Sequence, residues 1–271
     1  MGNLNDLLQK THESVNYSCA ESCDENPGAE GGCISCLGDQ YFGEKAIDYS
    51  CEHKRSAYVL RYLPVHIQEV NQVLEGLRDS QGLPASWPDP VRVLSIGGGP
   101  GSDIAAFKKF ISEGGFYDDD AHKFQIYRLE KVEDWNYIAT EVIHLFSPKG
   151  YEFDHKKINN DLNNLPKCAK GPFDVFLLSY VVSELNDAEC DRLGKAIDAL
   201  SGDRAVVIFN DRNQDSVWQK IQVIASQLNE VDSFKRTAEE WCGLHYPDDL
   251  KGMTLPKLYM KSVRYGLVIQ K

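Results

Sequence analysis

The stretch Val91-Arg92-Val93-Leu94-Ser95-Ile96-Gly97-Gly98-Gly99-Pro100-Gly101-Ser102-Asp103 decides the fold. A short, mostly apolar run comes first, then four glycines and a proline, then helical spacing over 104–111. A strand, a glycine turn and a helix in that order form one βα unit. The same alternation continues along the chain. Apolar runs at 124–129, 173–178, 204–209 and 262–269 alternate with helical patterns at 136–145, 188–200 and 215–228. This pattern predicts an α/β fold: a doubly wound, mostly parallel sheet with helices on both faces. The runs are apolar at nearly every position, as strands covered on both faces should be.

In such a sheet, ligands bind beyond the carboxyl ends of the strands. The glycine loop lies at such an end, and glycine lets the backbone approach a ligand closely. Ser102 or Asp103 is placed to cap the helix that follows. A phosphate-binding P-loop closes with Lys-Ser or Lys-Thr; this loop closes with Gly101-Ser102-Asp103. The dinucleotide fingerprint needs glycine at its first, third and sixth positions. Gly97 and Gly99 fit, but Ser102 holds the sixth position. Asp103 also sets an anion where a pyrophosphate would sit. What remains is Gly97-x-Gly99-x-Gly101, a loop suited to a ligand without phosphates.

With this loop the chain resembles the class I S-adenosylmethionine-dependent methyltransferases, over roughly residues 91–271. The resemblance implies a seven-stranded Rossmann-like sheet. It also implies a cofactor domain at 89–271 behind an N-terminal Cys-rich and helical extension at 1–88. Gly97, Gly98, Gly99 and Gly101 would pass beneath the methionine part of the cofactor, with Asp103 beside them. Glu130, at the end of the second strand, takes the place of the acid that binds the ribose hydroxyls; a carboxylate can accept from both hydroxyls of a diol. Asp161 and Leu162 take the place of the third-strand residues near the adenine. Ser179 and Tyr180 end the fourth strand, facing the reacting methyl group.

Methyl transfer from a sulfonium is an in-line displacement, so positioning the acceptor is the main demand. A base is needed only when the nucleophile arrives protonated. The candidates at strand ends are Tyr180 and Glu184 after strand four, and Asp211 and Arg212 after strand five. The fourth motif lacks an Asn/Asp-Pro-Pro-aromatic sequence and a Pro-Cys pair, which disfavours methylation of adenine amino groups and pyrimidine rings. The expected acceptor is a small molecule or a protein side chain. Aminopropyl transfer uses a related fold but presents acids for a polyamine at strand four, and "SYVVSEL" supplies few.

The segments "AYVLRYLPVHIQEVNQVLEGL", "VLSIGGGPGSD" and "FLLSYVVSELND" also resemble, more distantly, methyltransferase-like proteins associated with the small ribosomal subunit. That resemblance implies a second function, a ribosome or RNA assembly factor with little or no catalysis. Its cysteine ligands lie toward the C-terminal half; here the clustered cysteines lie at the N-terminus.

Those cysteines are Cys19, Cys23, Cys33 and Cys36. Four thiolates can enclose a tetrahedral zinc, and the same set also reads as ordinary reduced cysteines or as redox or disulfide chemistry. Tyr41, Phe42, Tyr49 and Tyr58 follow, aromatics that could close over a cofactor as a lid. Leu60, Leu63, Ile67, Val70, Leu74 and Leu77 then recur at helical spacing, and Pro64 predicts a kink or a second helix start.

The chain has 271 residues and a net charge of −12, about half of it within residues 1–50. Nucleic-acid partners favour a basic surface, so an acidic chain makes them the less expected class. No apolar run is long enough to span a bilayer. Eight cysteines without a recognisable signal segment predict reduced thiols in a cytoplasmic protein, with nuclear or mitochondrial placement left open.

Overall fold

The computed structural model describes residues 3–15, 32–42, 49–115 and 122–271. Its centre is a seven-stranded sheet. In chain order the elements begin with helices α1 (Leu4–Ser14), α2 (Gly32–Phe42) and α3 (Glu52–Asp79). There follow β1 (Val91–Ile96), α4 (Ser102–Ser112), β2 (Lys123–Glu130), α5 (Trp135–Val142), β3 (Glu152–Asn159), α6 (Leu165–Cys168) and β4 (Phe173–Ser179). The chain closes with α7 (Asp187–Leu200), β5 (Ser201–Arg212), α8 (Asp215–Ala225), β6 (Glu230–Arg236), β7 (Glu240–Trp241), α9 (Asp248–Thr254), β8 (Tyr259–Met260) and β9 (Ser262–Gln270). The sheet order is β3-β2-β1-β4-β5-β9-β6. β3, β2, β1, β4 and β5 pair in parallel, and β9 is antiparallel to both β5 and β6. The expected α/β, mostly parallel, doubly wound sheet is present.

Successive side chains of a strand point to opposite faces, and here both faces are covered. Val93, Val175, Leu177, Val206 and Ile208 join one core with α3 and α4. Their neighbours Leu94, Phe176, Leu178, Val207 and Phe209 join a second core with α7 and α8. That double coverage is why these strands read as continuous apolar runs. The order reverses between β1 and β4, so a crevice opens there at the carboxyl ends of the strands.

α3 runs unbroken through Pro64, where a kink or second start was expected. The proline has no N–H to offer the Leu60 carbonyl. That carbonyl instead accepts from the Tyr246 hydroxyl at 3.0 Å. The Arg61 carbonyl accepts from the Lys257 backbone N–H at 2.8 Å. The C-terminal segment thus satisfies the helix at its proline. Among the described residues, no helix is long and apolar enough to cross a membrane.

Candidate functional site

The glycine loop leaves β1 with Gly97 at φ +63°, where an added Cβ would lie 2.7 Å from Val181 Cγ2. The position therefore needs glycine for both conformation and space. Gly99, also at positive φ, has nothing within 4 Å of its missing Cβ and opens onto the cavity. Its N–H donates to Glu130 Oε2 at 2.8 Å, while Glu130 Oε1 accepts from the Val132 N–H at 2.8 Å. Arg128 donates to the Gly99 carbonyl at 2.7 Å. The end of β2 thus clips the loop from both sides of Gly99.

The cap of α4 is Gly101, not Ser102 or Asp103, and it makes no side-chain cap bond. Asp103 sits in the first turn instead and is buried. Its carboxylate accepts from the Ser95 hydroxyl at 2.7 Å and the Ile104 N–H at 2.8 Å. Burial pushes its carboxyl up to about 6, against the pull of those two hydrogen bonds and of Arg128.

At the end of β3, Asp161 caps a 3-10 turn, Leu162–Asn164, by accepting from the Asn163 N–H at 2.8 Å. At the end of β4, Tyr180 is a non-glycine residue in the left-handed region, at φ +56°. Such a conformation persists only where its surroundings over-determine it. The Tyr180 N–H donates to the Asn210 carbonyl at 2.7 Å. Its hydroxyl donates to Glu69 Oε2 at 3.0 Å and accepts from Lys257 Nζ at 3.0 Å. Its ring stacks on His66 with centroids 4.0 Å apart. Asn210 donates to the same Glu69 oxygen at 3.1 Å and to Ser179 Oγ at 3.2 Å.

One cavity collects most of the residues expected at the site. About 990 Å³ of empty space, part of it open to solvent, is lined by Gly97, Gly98, Gly99, Asp103, Glu130, Asp161, Leu162, Ser179, Tyr180 and Glu184. Gly101 does not line it, and neither do Asp211 and Arg212. The Asp211 carboxylate is buried beneath the β4 turn, accepting from the Ser183 N–H at 2.9 Å and the Arg212 N–H at 2.7 Å. Burial raises its carboxyl above the ordinary range. Tyr180 lines the cavity, but its hydroxyl is committed to Glu69 and Lys257. Glu184 is left at the mouth. Glu184 is an exposed residue; partial desolvation of its carboxyl raises it, the Lys131 charge pulls it back down, and the Asp211 and Glu130 charges add to the rise.

Of the other cavity residues, Tyr49 and Tyr58 were among the aromatics expected to close over a cofactor, whereas Trp135 was not singled out in the sequence. Tyr49, Tyr58 and Trp135 line it together. Their rings meet pairwise at 5.7, 5.1 and 5.6 Å between centroids. Asn160, Asn163, Lys131 and Glu189 complete a strongly acidic lining: five carboxylates against one lysine. Beneath the cavity, Glu69 and His66 also went unnoticed, yet a signal existed. Tyr62, His66, Glu69 and Val73 share one stripe of α3, so two ionisable groups fall in a row otherwise bound for the core.

Cys33 and Cys36 are buried on α2, while Cys19 and Cys23 lie outside the described residues. Among the described residues no group of three or more His, Cys, Asp or Glu side chains is placed to hold a metal ion. The zinc expectation therefore finds no ligand set there.

No family model matches the chain, and no curated protein sequence matches it. Solved structures do. A SAM-dependent methyltransferase from Leishmania major aligns over 99% of this chain and 87% of its own, at 13% identity and TM-score 0.45. Magnesium protoporphyrin IX methyltransferase from Synechocystis, solved with bound S-adenosylhomocysteine (SAH), aligns over 87% of this chain and 93% of its own, at 13% identity and TM-score 0.46. An N-methyltransferase from Bradyrhizobium japonicum aligns over 73% of this chain and 97% of its own, at 11% identity and TM-score 0.42.

Proposed function

We propose that the chain is an S-adenosylmethionine-dependent methyltransferase acting on a small molecule or a protein side chain. The observation that carries this reading is the Glu130 carboxylate on the Gly99 N–H. A pyrophosphate bound at a glycine loop uses such backbone donors and the helix N-terminus behind them. Here a carboxylate already takes the donor, Asp103 adds a second acid in the first helical turn, and the lining holds five carboxylates against one lysine. A phosphate would meet like charge; a sulfonium nucleoside meets opposite charge.

Each Glu130 oxygen accepts one backbone bond, leaving a lone pair apiece for the two hydroxyls of a ribose. Asp161 and Leu162 would flank the base, and Gly97–Gly99 would form the floor. When bound, the cofactor supplies a methyl group already activated on sulfur. This chain's residues then have to orient the acceptor and exclude water. Glu184, at the mouth and with a raised carboxyl, is the group positioned to receive a proton from an acceptor. In this reading residues 89–271 form the cofactor domain, and the preceding extension contributes Tyr49 and Tyr58 to its cavity. The protein is read as cytoplasmic, with no membrane partner.

A second reading has one observation in its favour. Two of the four residues expected in catalysis, Tyr180 and Asp211, direct their polar atoms into the protein rather than the cavity. A binding protein with the same cavity but little catalysis, such as a ribosome or RNA assembly factor, would look alike.

Thermal melting with added ligand tests the proposal. A ligand at about a hundred times its Kd adds roughly 2.7 kcal/mol to stability. S-adenosylmethionine and SAH should raise the Tm, and NAD+ should not. A rise with NAD+ alone would overturn the proposal. Binding without release of SAH in the presence of protein and metabolite fractions would favour the second reading.

A further inference from the structure

Arg55, in the first turns of α3, is buried with its guanidinium beneath the aromatic side of the cavity. A single nitrogen, Nη1, donates to the Tyr49 carbonyl at 2.6 Å and the Ser50 carbonyl at 2.7 Å. The same nitrogen lies 3.4 Å from Asp134 Oδ2. Two of the three cavity rings sit on or beside these anchors. Tyr49 contributes one of the held carbonyls, and Trp135 directly follows Asp134. The third ring, Tyr58, is one turn along α3 from Arg55.

We propose that Arg55 is a positioning residue that sets the Tyr49–Tyr58–Trp135 wall against a ligand in the cavity. The wall is built from three separate pieces of chain: residues 49–50, α3 and the start of α5. Each ring is within 5.7 Å of the other two, so a shift of one piece moves its face relative to the others. Besides the rings themselves, Arg55 on α3 reaches both of the other pieces with hydrogen bonds. The Nη1 amino group carries two N–H bonds, one for each of the two carbonyls. Asp134 is more than half exposed, so the ion pair itself is screened by water and contributes little. The two carbonyl bonds, made inside the protein, carry the constraint.

The inference rests on the cofactor reading above, and a calorimetric cycle with SAH separates the two. The full-length chain, Arg55→Gln, Tyr49→Ala and the double variant are titrated with SAH, and each is melted without ligand. Each single change should weaken SAH binding about tenfold, equivalent to ~1.4 kcal/mol. The double variant should be no weaker than the weaker single one, because both changes disrupt the same wall. Unchanged affinity in Arg55→Gln, or losses that simply add, would overturn the positioning role. Failure of the unaltered chain to bind SAH would overturn the cofactor reading instead. Hydrogen exchange on the unaltered chain tests the role without any variant. SAH should protect the amides of residues 49–52 and 135–137, and no change there would overturn it.

Discussion

The two rims of the cavity are built in different ways. At the β1–β2–β3 rim, the polar groups are tied by short-range contacts. Glu130 holds Val132, Asp161 holds Asn163 and Asp103 holds Ile104, each within two residues, and the longest link spans the 31 residues from Gly99 to Glu130. At the β4–β5 rim, Tyr180 and Asn210 are tied to Glu69 across 111 and 141 residues. Lys257 reaches the same cluster from near the C-terminus. One rim is a set of turns that form wherever their strands end. The other exists only once α3, two strands and the C-terminal segment have assembled. A change at the first should therefore act on the ligand, and a change at the second on the whole fold.

The sharpest way to break this contrast is Glu69→Ala. It strips Tyr180 and Asn210 of their shared acceptor and leaves the partly buried Lys257 without its counter-charge. Removing one member of a buried ion pair costs about 3–5 kcal/mol. Urea unfolding should show a loss of that order, with ligand affinity falling as the strained Tyr180 turn relaxes. A loss under about 1 kcal/mol would mean that the β4–β5 rim is held by its strands alone.

Tyr246→Phe probes the same long-range assembly more gently. It removes the hydroxyl that serves the Leu60 carbonyl and also meets Thr254 Oγ1 at 2.7 Å. The expected loss is about 1–3 kcal/mol, the cost of an orphaned buried acceptor, with little effect on SAH affinity.

The local rim has a signature in the pH dependence of stability. The Asp103 carboxyl is raised from 3.8 to about 6 by burial. The folded state therefore holds this proton more tightly than the unfolded state, so its contribution is full below pH 3.8 and is lost as pH rises through about 6. Asp103→Asn keeps an acceptor for Ser95 but cannot ionise. Urea midpoints taken between pH 4 and 7 should show that this one component of falling stability disappears in the variant. An unaltered slope would place Asp103 in a more hydrated setting than its burial indicates.

The same contrast explains how much could be read from the sequence. β1, β4, β5 and β9 are central strands covered on both faces, so their apolar runs announce them. β3 and β6 are the two edges of the sheet and alternate between exposed and half-buried positions. "EFDHKKIN" and "EVDSFKR" consequently look like polar loops. The glycine loop, Glu130 and Asp161 were placed at strand ends by the apolar runs and the resemblance, and the structure sets all three on one cavity. The partners of Glu69, His66 and Lys257 were not legible, because only tertiary folding brings them together. Pro64 misled for the same reason: its missing hydrogen bond is made good from residue 246. Asp211 and Arg212 fell at the expected strand end, but β5 carries them past the cavity and turns the Asp211 carboxylate under Ser183.

In the proposed reading, Glu130 takes the place of a phosphate at the glycine loop and leaves its free lone pairs for a ribose. Calorimetric titration of SAH into the unaltered chain and Glu130→Gln tests this most directly. Glutamine offers one carbonyl oxygen to the two N–H groups and cannot serve a diol as well. SAH affinity should be at least about tenfold weaker in the variant, or ~1.4 kcal/mol, with folding retained. Equal affinity in the two proteins would contradict it.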